Sequence, residues 1–549
     1  MLLSNMELIA TAPGGVAKLR ELILTLAVQG KLVPQDPADE PAGVLLQKIR
    51  VEKDRLIAEG KIRRDKPLAE IAEEEKPFGL PQGWEWVRFG DASINRDGER
   101  IPVSSSDREN RAKTYDYYGA SGVIDKIDGF LFDKTLLLIG EDGANLINRS
   151  TPIAFLAHGK YWVNNHAHVI DTTHPQLMTY LALFINAISL EPYVTGTAQP
   201  KMNQAKLNSI VIALPPLAEQ SRIVARVEAL MRLCDALEAK GQLEAAQHAQ
   251  LVSTLLGTLT ASTTPEELAD NWQRVAQHFD LLLDRPEAID ALEQTLLQLA
   301  VRGLLVPQDP TDEPASVLLQ KIRAEKDRLI AAGQIKRDKP LPPITDEEKP
   351  FELPVGWEWV RLGALASLVT SGSRSWKDFY AEEGATFIRS QDIKYDRLEF
   401  DERAFVKLPV GTEGVRTQVQ LHDVLVTITG ANVGKAAVVS EPISEAYVSQ
   451  HVALVRMLDA SLVSCLHLWL VSEYEGRRLL LMSSYGAKPG LNLQNINDLP
   501  VPLPPLAEQS RIVTRVTALR RLCADLRQRL AERQAVQARL AEALVQEVA

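Results

Sequence analysis

Tyr117, Tyr118, Ser121, Asn145, Asn148, Lys201, Asn203 and Gln204 in the first half of the chain, and Arg374, Lys377, Arg389, Gln391, Lys435, Gln450, Lys488 and Asn492 in the second, are polar, aromatic or basic residues set among glycine-containing loops. Carboxamides and guanidinium groups present paired hydrogen-bonding atoms that tell one nucleic-acid base edge from another, while lysines supply point charges for phosphates. Loops on a rigid scaffold are also where binding side chains concentrate. The stretches GTAQPKMNQAKL (196–207) and GAKPGLNLQNI (486–496) stand at matching places, each shortly before a repeated LPPLAEQ motif. Lys201 and Lys488 therefore read as a pair placed to hold phosphate, and the competing reading for any single residue is a solvated turn leading into a strand.

Bond-making chemistry finds little support. GANVGK (430–435) resembles a phosphate loop but is one residue short of G-x-x-x-x-G-K-[ST] and continues with Ala436, so the hydroxyl that would bind magnesium is missing. His166 and His168 alternate along an expected strand, yet no third ligand at a suitable spacing completes a metal site, and they read as surface or core histidines. No G-x-S-x-G elbow, dinucleotide fingerprint or duplicated carboxylate pair is present.

The elements that must position these residues are organised by an internal repeat. Residues 31–67, KLVPQDPADEPAGVLLQKIRVEKDRLIAEGKIRRDKP, return as LLVPQDPTDEPASVLLQKIRAEKDRLIAAGQIKRDKP at 304–340. The same offset carries EEKPFGLPQGWEWVRFG (74–90) onto EEKPFELPVGWEWVRLG (347–363). After a variable stretch in each half comes a second repeated block, LPPLAEQSRIVARV from Leu214 and LPPLAEQSRIVTRV from Leu503. Residues of about 91–213 and 364–502 show little mutual similarity. Two near-identical frames thus hold two different inserts, a layout suited to presenting two different surfaces in equivalent places.

The frames read as helical. Following Pro215-Pro216, apolar residues fall at Ile223, Val227, Leu230, Cys234 and Leu237, and the C-terminal copy repeats them at Ile512, Val516, Leu519, Cys523, Leu526 and Leu530. The alternating spacing of four and three is the seam of a coiled coil, the alternative being an amphipathic helix packed on its own domain. Further helices are expected at 19–28 and 44–59, matched at 292–301 and 317–332. The inserts carry β-like runs at 136–140, 161–170, 423–430 and 446–456, and helix-like stretches at 175–188 and 462–481, so each reads as a compact α/β domain.

Bulk properties bound the function. A net charge of -11 and a pI near 5.5 argue against wrapping DNA through the overall field, leaving local positive patches or partner subunits to meet phosphates. Three cysteines cannot form a disulfide framework, and Cys234 and Cys523, at equivalent points of the repeat, read as small core residues. MLLSNMELIATAPGG has no signal-peptide pattern and no later run is long and apolar enough to span a bilayer, so a cytoplasmic protein with no membrane partner is expected.

At LPPLAEQSRIV, LP-x-GWEWVRLG and GLNLQNINDLPVPLPP, with the two-insert layout, nearly the whole chain resembles the specificity subunits of type I restriction-modification enzymes. The resemblance implies an α+β fold class: two α/β target recognition domains separated by long antiparallel coiled-coil helices, with an internal pseudo-two-fold repeat. It implies an N-terminal repeated helical region (1–79), target recognition domain 1 (80–213), a central repeated helical region (214–352), target recognition domain 2 (353–502) and a C-terminal repeated helix (503–549). It further implies that each domain reads half of a bipartite, asymmetric site in double-stranded DNA. Two modification subunits carrying S-adenosylmethionine would dock on the frame and methylate adenine, and restriction/translocase subunits using ATP and magnesium would join them, with no cofactor on this chain. In agreement, the Pro-Pro pairs here are all Leu-Pro-Pro and lack the polar residue of an adenine methyltransferase's N-P-P-[FY] motif. The long middle segment 257–291, with Trp272 and Phe279, departs from the compact family pattern and is expected to add a helix to the central frame. From a different class, the duplicated helices also fit a protein-binding scaffold without DNA readout.

Overall fold

A computed structural model of the chain describes residues 9–548 except 63, 65, 197–198, 263, 338, 374–375, 410, 412–414 and 485–489. The chain forms two compact units, Met1–Glu244 with Gln534–Ala549, and Ala245–Arg533. Among the described residues no helix is long and apolar enough to cross a membrane.

Each frame begins with a pair of helices, Gly15–Val28 and Ala42–Ala58 in the first unit, Pro286–Val301 and Ala315–Ala331 in the second. The repeated glycine ending the first helix of each pair has a steric reason. Gly30 and Gly303 adopt φ values of 71° and 73°, and Lys31 and Leu304 then donate back to the carbonyls of Leu26 and Leu299, both at 2.9 Å. A Cβ would also lie 2.5 Å from Pro81 and 2.6 Å from Pro354, so no larger residue fits.

The insert is attached through a narrow ribbon. Strand Glu85–Arg88 at its start pairs antiparallel with Val211–Leu214 at its end, and Glu358–Arg361 pairs in the same register with Pro500–Leu503. Frame side chains lock the ribbon from both sides. Lys53 donates to the carbonyls of Gly90 and Ser93 at 2.7 and 3.0 Å, and Lys326 does the same to Gly363 and Ala366. Arg88 grips Glu75 with both guanidinium ends and also donates to the carbonyls of Ala69, Glu70 and Ser209; Arg361 repeats this with Glu348, Pro342, Pro343 and Asp498. Tyr180 and Trp469, on helices of the two inserts, donate to ribbon carbonyls of Ala213 and Pro500.

From the ribbon the chain enters a long helix, Leu217–Ala261 or Leu506–Val548. In its first turn a buried carboxylate closes the frame: Glu219 accepts from Trp84 Nε1 at 3.0 Å and Gln35 Nε2 at 3.2 Å, and Glu508 accepts from Trp357 at 2.9 Å and Gln308 at 2.7 Å. The seam residues Ile223, Val227, Leu230 and Cys234 are buried, as are Ile512, Val516, Cys523 and Leu530. They do not face a single partner. In the first unit they share a core with Leu19, Ile23 and Ala541, flanked by the Arg20–Asp235 ion pair. In the second unit Cys523 and Leu530 share one with Val252, Leu256, Ile289 and Leu292, flanked by Arg527–Asp290. The segment 257–291 adds Pro265–Gln277, capped by Thr264, and a short turn Phe279–Leu282, whose Leu282 closes the same core.

The inserts share a plan that their sequences hide. Each has an antiparallel four-stranded sheet, ordered Ile94–Asn95, Ala167–Asp171, Leu136–Gly140, Ala154–Ala157 in the first, and Ala366–Ser371, Val452–Met457, Val424–Thr427, Ala436–Val438 in the second. Each also has a mixed sheet with one parallel pair, Tyr115–Gly119 with Lys160–Val163, and Ala385–Ile388 with Ala446–Val448. Along the central strands the two faces bury in different places. Leu137 and Ile139 point into the core shared with the frame while Leu136 and Leu138 close the insert's own core; Val424 and Val426 alternate with Leu425 in the same way.

Two expected strands, 161–170 and 446–456, are each divided by a two-residue tip, and the expected helix 462–481 is two helices, Val463–Val471 and Gly476–Met482. At that helix break the chain passes so close to Trp469 that a Cβ at Gly476 would lie 2.3 Å from its carbonyl, so the position requires glycine.

Candidate nucleic-acid interface

The residues singled out from sequence fall into three groups. Asn203 and Asn492 cap short helices, accepting from the backbone N–H of Lys206 at 3.0 Å and Asn495 at 2.9 Å, and Gln204 is the exposed first residue of the helix that Asn203 caps. Asn145 is used within its own turn, donating to Thr151 and accepting from Ser150 and from the Thr151 N–H. Tyr117 is 1% exposed, with its hydroxyl bonded to both the N–H and the carbonyl of Val103 and the Arg108 guanidinium 4.3 Å from its ring centroid. Tyr118 packs against Phe155 and Tyr161. Arg389 is turned inward onto Asp392 and the carbonyl of Glu402.

Ser121, Asn148, Gln391 and Gln450 are exposed, and Lys435 is half-buried. The GANVGK loop carrying Lys435 joins two antiparallel strands, with Thr427 N–H donating to Lys435 O and Gly434 N–H to Thr427 O, both at 2.9 Å. It is a hairpin, whereas a phosphate loop leads from a strand into a helix. Arg374 and Lys488 lie outside the described residues, as does the side chain of Lys377.

Lys201 sits on a loop pinned from both ends. It exchanges backbone hydrogen bonds with Thr195, while Met202 N–H donates to Glu141 O and Gly143 N–H to Pro200 O. Its Nζ is 3.2 Å from Glu141 Oε1, and the other Glu141 oxygen accepts from Arg100 at 2.8 Å. Beneath them His168, fully buried, places Nδ1 2.6 Å from Asp97 Oδ2 and Nε2 2.8 Å from the carbonyl of Met202. An oxygen at each ring nitrogen holds the imidazole from both sides. Burial opposes ionisation of Asp97, but hydrogen bonds from His168 and Val169 and the charges of His168 and Arg100 outweigh it and hold its carboxyl below the usual range.

Asp97, Glu141 and His168 together have the donor set of a cation site. Arg100 and Lys201 already neutralise it, and a divalent ion would have to displace both. The cluster instead fixes the loop that carries Lys201. Sequence inspection missed Asp97, Arg100 and Glu141; the available signal was His168 within an apolar strand, since a buried imidazole requires partners.

At the matching place in the second insert, Gly490 bridges Thr429 and Leu491 N–H donates to Ile428 O at 2.8 Å. The loop before the LPPLAEQ motif is therefore docked in both inserts on the end of the same central strand. Beside each docking point lies a strand-to-strand tip, Asn165-His166 in the first insert and Gln450-His451 in the second, all four residues exposed. The arrangement offers amides, imidazoles and a lysine on fixed loops, the chemistry of hydrogen-bonded recognition.

Comparison with known proteins agrees with the duplicated layout. The family profile of the type I restriction modification DNA specificity domain matches residues 81–247 and 354–533. The type I restriction enzyme EcoEI specificity subunit of Escherichia coli is 37% identical, with 96% of this chain and 93% of that protein aligned. The EcoAI specificity subunit of the same organism is 36% identical over the same shares. A solved chain from work on complex assembly and conformational transition of the type I R-M system has a TM-score of 0.47 at 19% identity, over 86% of this chain and 99% of that one. With both halves matched and nearly full-length identity of this order, the chain belongs to the specificity subunits of type I restriction-modification enzymes, a non-catalytic subunit class of those complexes.

Proposed function

We propose that this chain gives a type I restriction-modification complex its DNA sequence specificity by reading a bipartite, asymmetric site, one half with each insert. The observation that carries the reading is that two inserts with the same antiparallel sheet order and one parallel strand pair each, and with different side chains at their tips, are mounted on duplicate frames through the same locked ribbon. The target recognition domains are residues 80–213 and 353–502; the repeated helical regions 1–79, 214–352 and 503–549 form the frame. Two adenine-methyltransferase subunits bearing S-adenosylmethionine dock on this frame, and restriction subunits with ATP and magnesium complete the cytoplasmic complex. The chain itself holds no cofactor and performs no methyl transfer.

The test is selection from random duplexes by the chain reconstituted with its modification subunits. A motif of two defined segments separated by unspecified base pairs is expected. Recovery of no motif by an assembled complex would sink this reading in favour of a protein-binding scaffold.

A further inference from the structure

The two inserts turn the same corner with the same chemistry. In the first, strand Lys160–Val163 runs parallel to Tyr115–Gly119 with Val163 opposite Tyr118, and after the tip the chain returns as Ala167–Asp171 beside Leu136–Gly140. In the second, Ala446–Val448 runs parallel to Ala385–Ile388 with Val448 opposite Ile388, and returns as Val452–Met457 beside Val424–Thr427. The backbone hydrogen bonds coincide. Asn164 N–H donates to Tyr118 O at 3.1 Å and Ser449 N–H to Ile388 O at 2.8 Å; Glu141 N–H donates to His166 O at 2.8 Å and Ile428 N–H to His451 O at 2.9 Å. Asn164, Asn165 and His166 are thereby equivalent to Ser449, Gln450 and His451.

At each of these positions the chemistry is kept although the surrounding sequence is not. Asn164 and Ser449 are buried, and their side-chain oxygens accept from the N–H of the histidine two residues on, which fixes the turn. Each histidine ring is held through Nδ1 by the side chain at one equivalent position on the neighbouring strand end, Asp142 at 2.7 Å for His166 and the Thr429 hydroxyl for His451. Between them lies a carboxamide, Asn165 or Gln450, exposed at the tip. In the second insert Gln450 Nε2 donates to His451 Nε2 at 3.2 Å, so amide and ring form one unit; in the first, Asn165 and His166 border a cavity of about 400 Å³ that Arg108 and Tyr117 also line.

A turn that only changed strand direction would need neither an exposed amide nor a ring tethered at one nitrogen. A carboxamide carries a donor and an acceptor side by side, the pattern that matches N6 and N7 of adenine in the major groove. Resting on the function proposed above, we propose that Asn165 and Gln450 are equivalent base-reading residues, one for each half-site, and that His166 and His451 are positioning residues that hold those tips.

The experiment compares wild type, Asn165→Ala and Gln450→Ala, each in the complete complex with modification subunits, by duplex selection and by sequencing of methylated sites. Asn165→Ala should relax one base position of one half-site, cutting discrimination there by about 5- to 150-fold, the span for one bidentate contact, with the other half-site unchanged. Gln450→Ala should do the converse. His166→Ala should relax the same position as Asn165→Ala, which a role confined to the turn would not single out. The intact half-site reports in each case that the complex is folded, and Asn165→Gln, which keeps the amide but lengthens its reach, repeats the test if the alanine variant does not assemble. An unchanged motif in the tip variants, or an equal loss across all sequences, overturns the proposal while the bipartite reading stands. A wild-type complex that selects no motif removes the bipartite reading itself.

Discussion

Replacing Trp84 by phenylalanine removes one hydrogen bond from a carboxylate that water barely reaches. Glu219 is 1% exposed, its Oε2 accepts from Trp84 Nε1 at 3.0 Å, and its other oxygen has Gln35 at 3.2 Å. A hydrogen bond to a charged group contributes about 1.5–3 kcal/mol, so Trp84→Phe should lose at least that amount, before the smaller ring's poorer packing is counted. At roughly 2–4 °C per kcal/mol for a unit of this size, the melting temperature of the first unit should fall by about 3–12 °C. The loss has a pH signature. Burial raises the Glu219 carboxyl above the usual range, and the donors Trp84 and Gln35 and the Arg222 charge only partly offset it. A raised carboxyl favours the folded state most at low pH, and that contribution fades as pH climbs from the unfolded through the folded value. Removing Trp84 raises the folded value further, so the deficit against wild type should be smallest in acid, stay level up to the wild-type folded value, widen between that value and the variant's higher one, and then level again. Thermal unfolding of the full-length chain from about pH 4 to about pH 8 measures it. Trp357→Phe should repeat the behaviour through Glu508, whose carboxyl burial also raises. A deficit independent of pH, or none at neutral pH, would refute the assignment of the indole as an essential donor to an ionised carboxylate.

Three further outcomes follow from other parts of the molecule. Exchange of residues 91–213 for another family member's insert should alter one half-site alone, since Lys53 and Arg88 hold the exchanged segment through the backbone carbonyls of Ser93 and Ser209, which any sequence supplies; simultaneous change of both half-sites in the methylated motif would break the two-reader account. Lys201→Ala should weaken binding evenly across sequences and lower the salt slope by about one, and Lys488→Ala likewise; a shifted base preference at constant slope would make that lysine a base reader. Asp97→Asn should flatten the acid limb of the first unit's stability curve, because a depressed carboxyl contributes stability above the usual carboxylate range that is lost as pH falls through its folded value. Parallel acid limbs in wild type and variant would deny that role.

How far such features could be read beforehand depended on whether their cause was local. The frame helices follow their apolar period and end at glycines needing positive φ, so the expected 44–59 and the observed Ala42–Ala58 nearly coincide. The corners at Asn165 and Gln450 carry no glycine or proline; what bends the chain there is pairing with Tyr118 and Ile388, far off in sequence, and both runs therefore look like single strands. Asn203 and Asn492 stand where an N-cap would, and in sequence a capping carboxamide looks the same as one turned toward a ligand. The cluster beneath Lys201 joins residues 41 and 71 positions apart, a proximity no spacing rule reveals. The common order of the antiparallel sheets is likewise silent in sequence, because their strands share only burial and β-propensity.

The alternation along the central strands bears on how such inserts diversify. One face of 136–140 belongs to the frame's core and the other to the insert's own, and the same holds for 424–426. Residues 137, 139, 424 and 426 are thus answerable to a scaffold that stays put, whereas 136, 138 and 425 answer only to neighbours that travel with them. Drift along these strands should run at two rates with a period of two, and lineages that trade inserts should covary within the outward face while the inward one holds still.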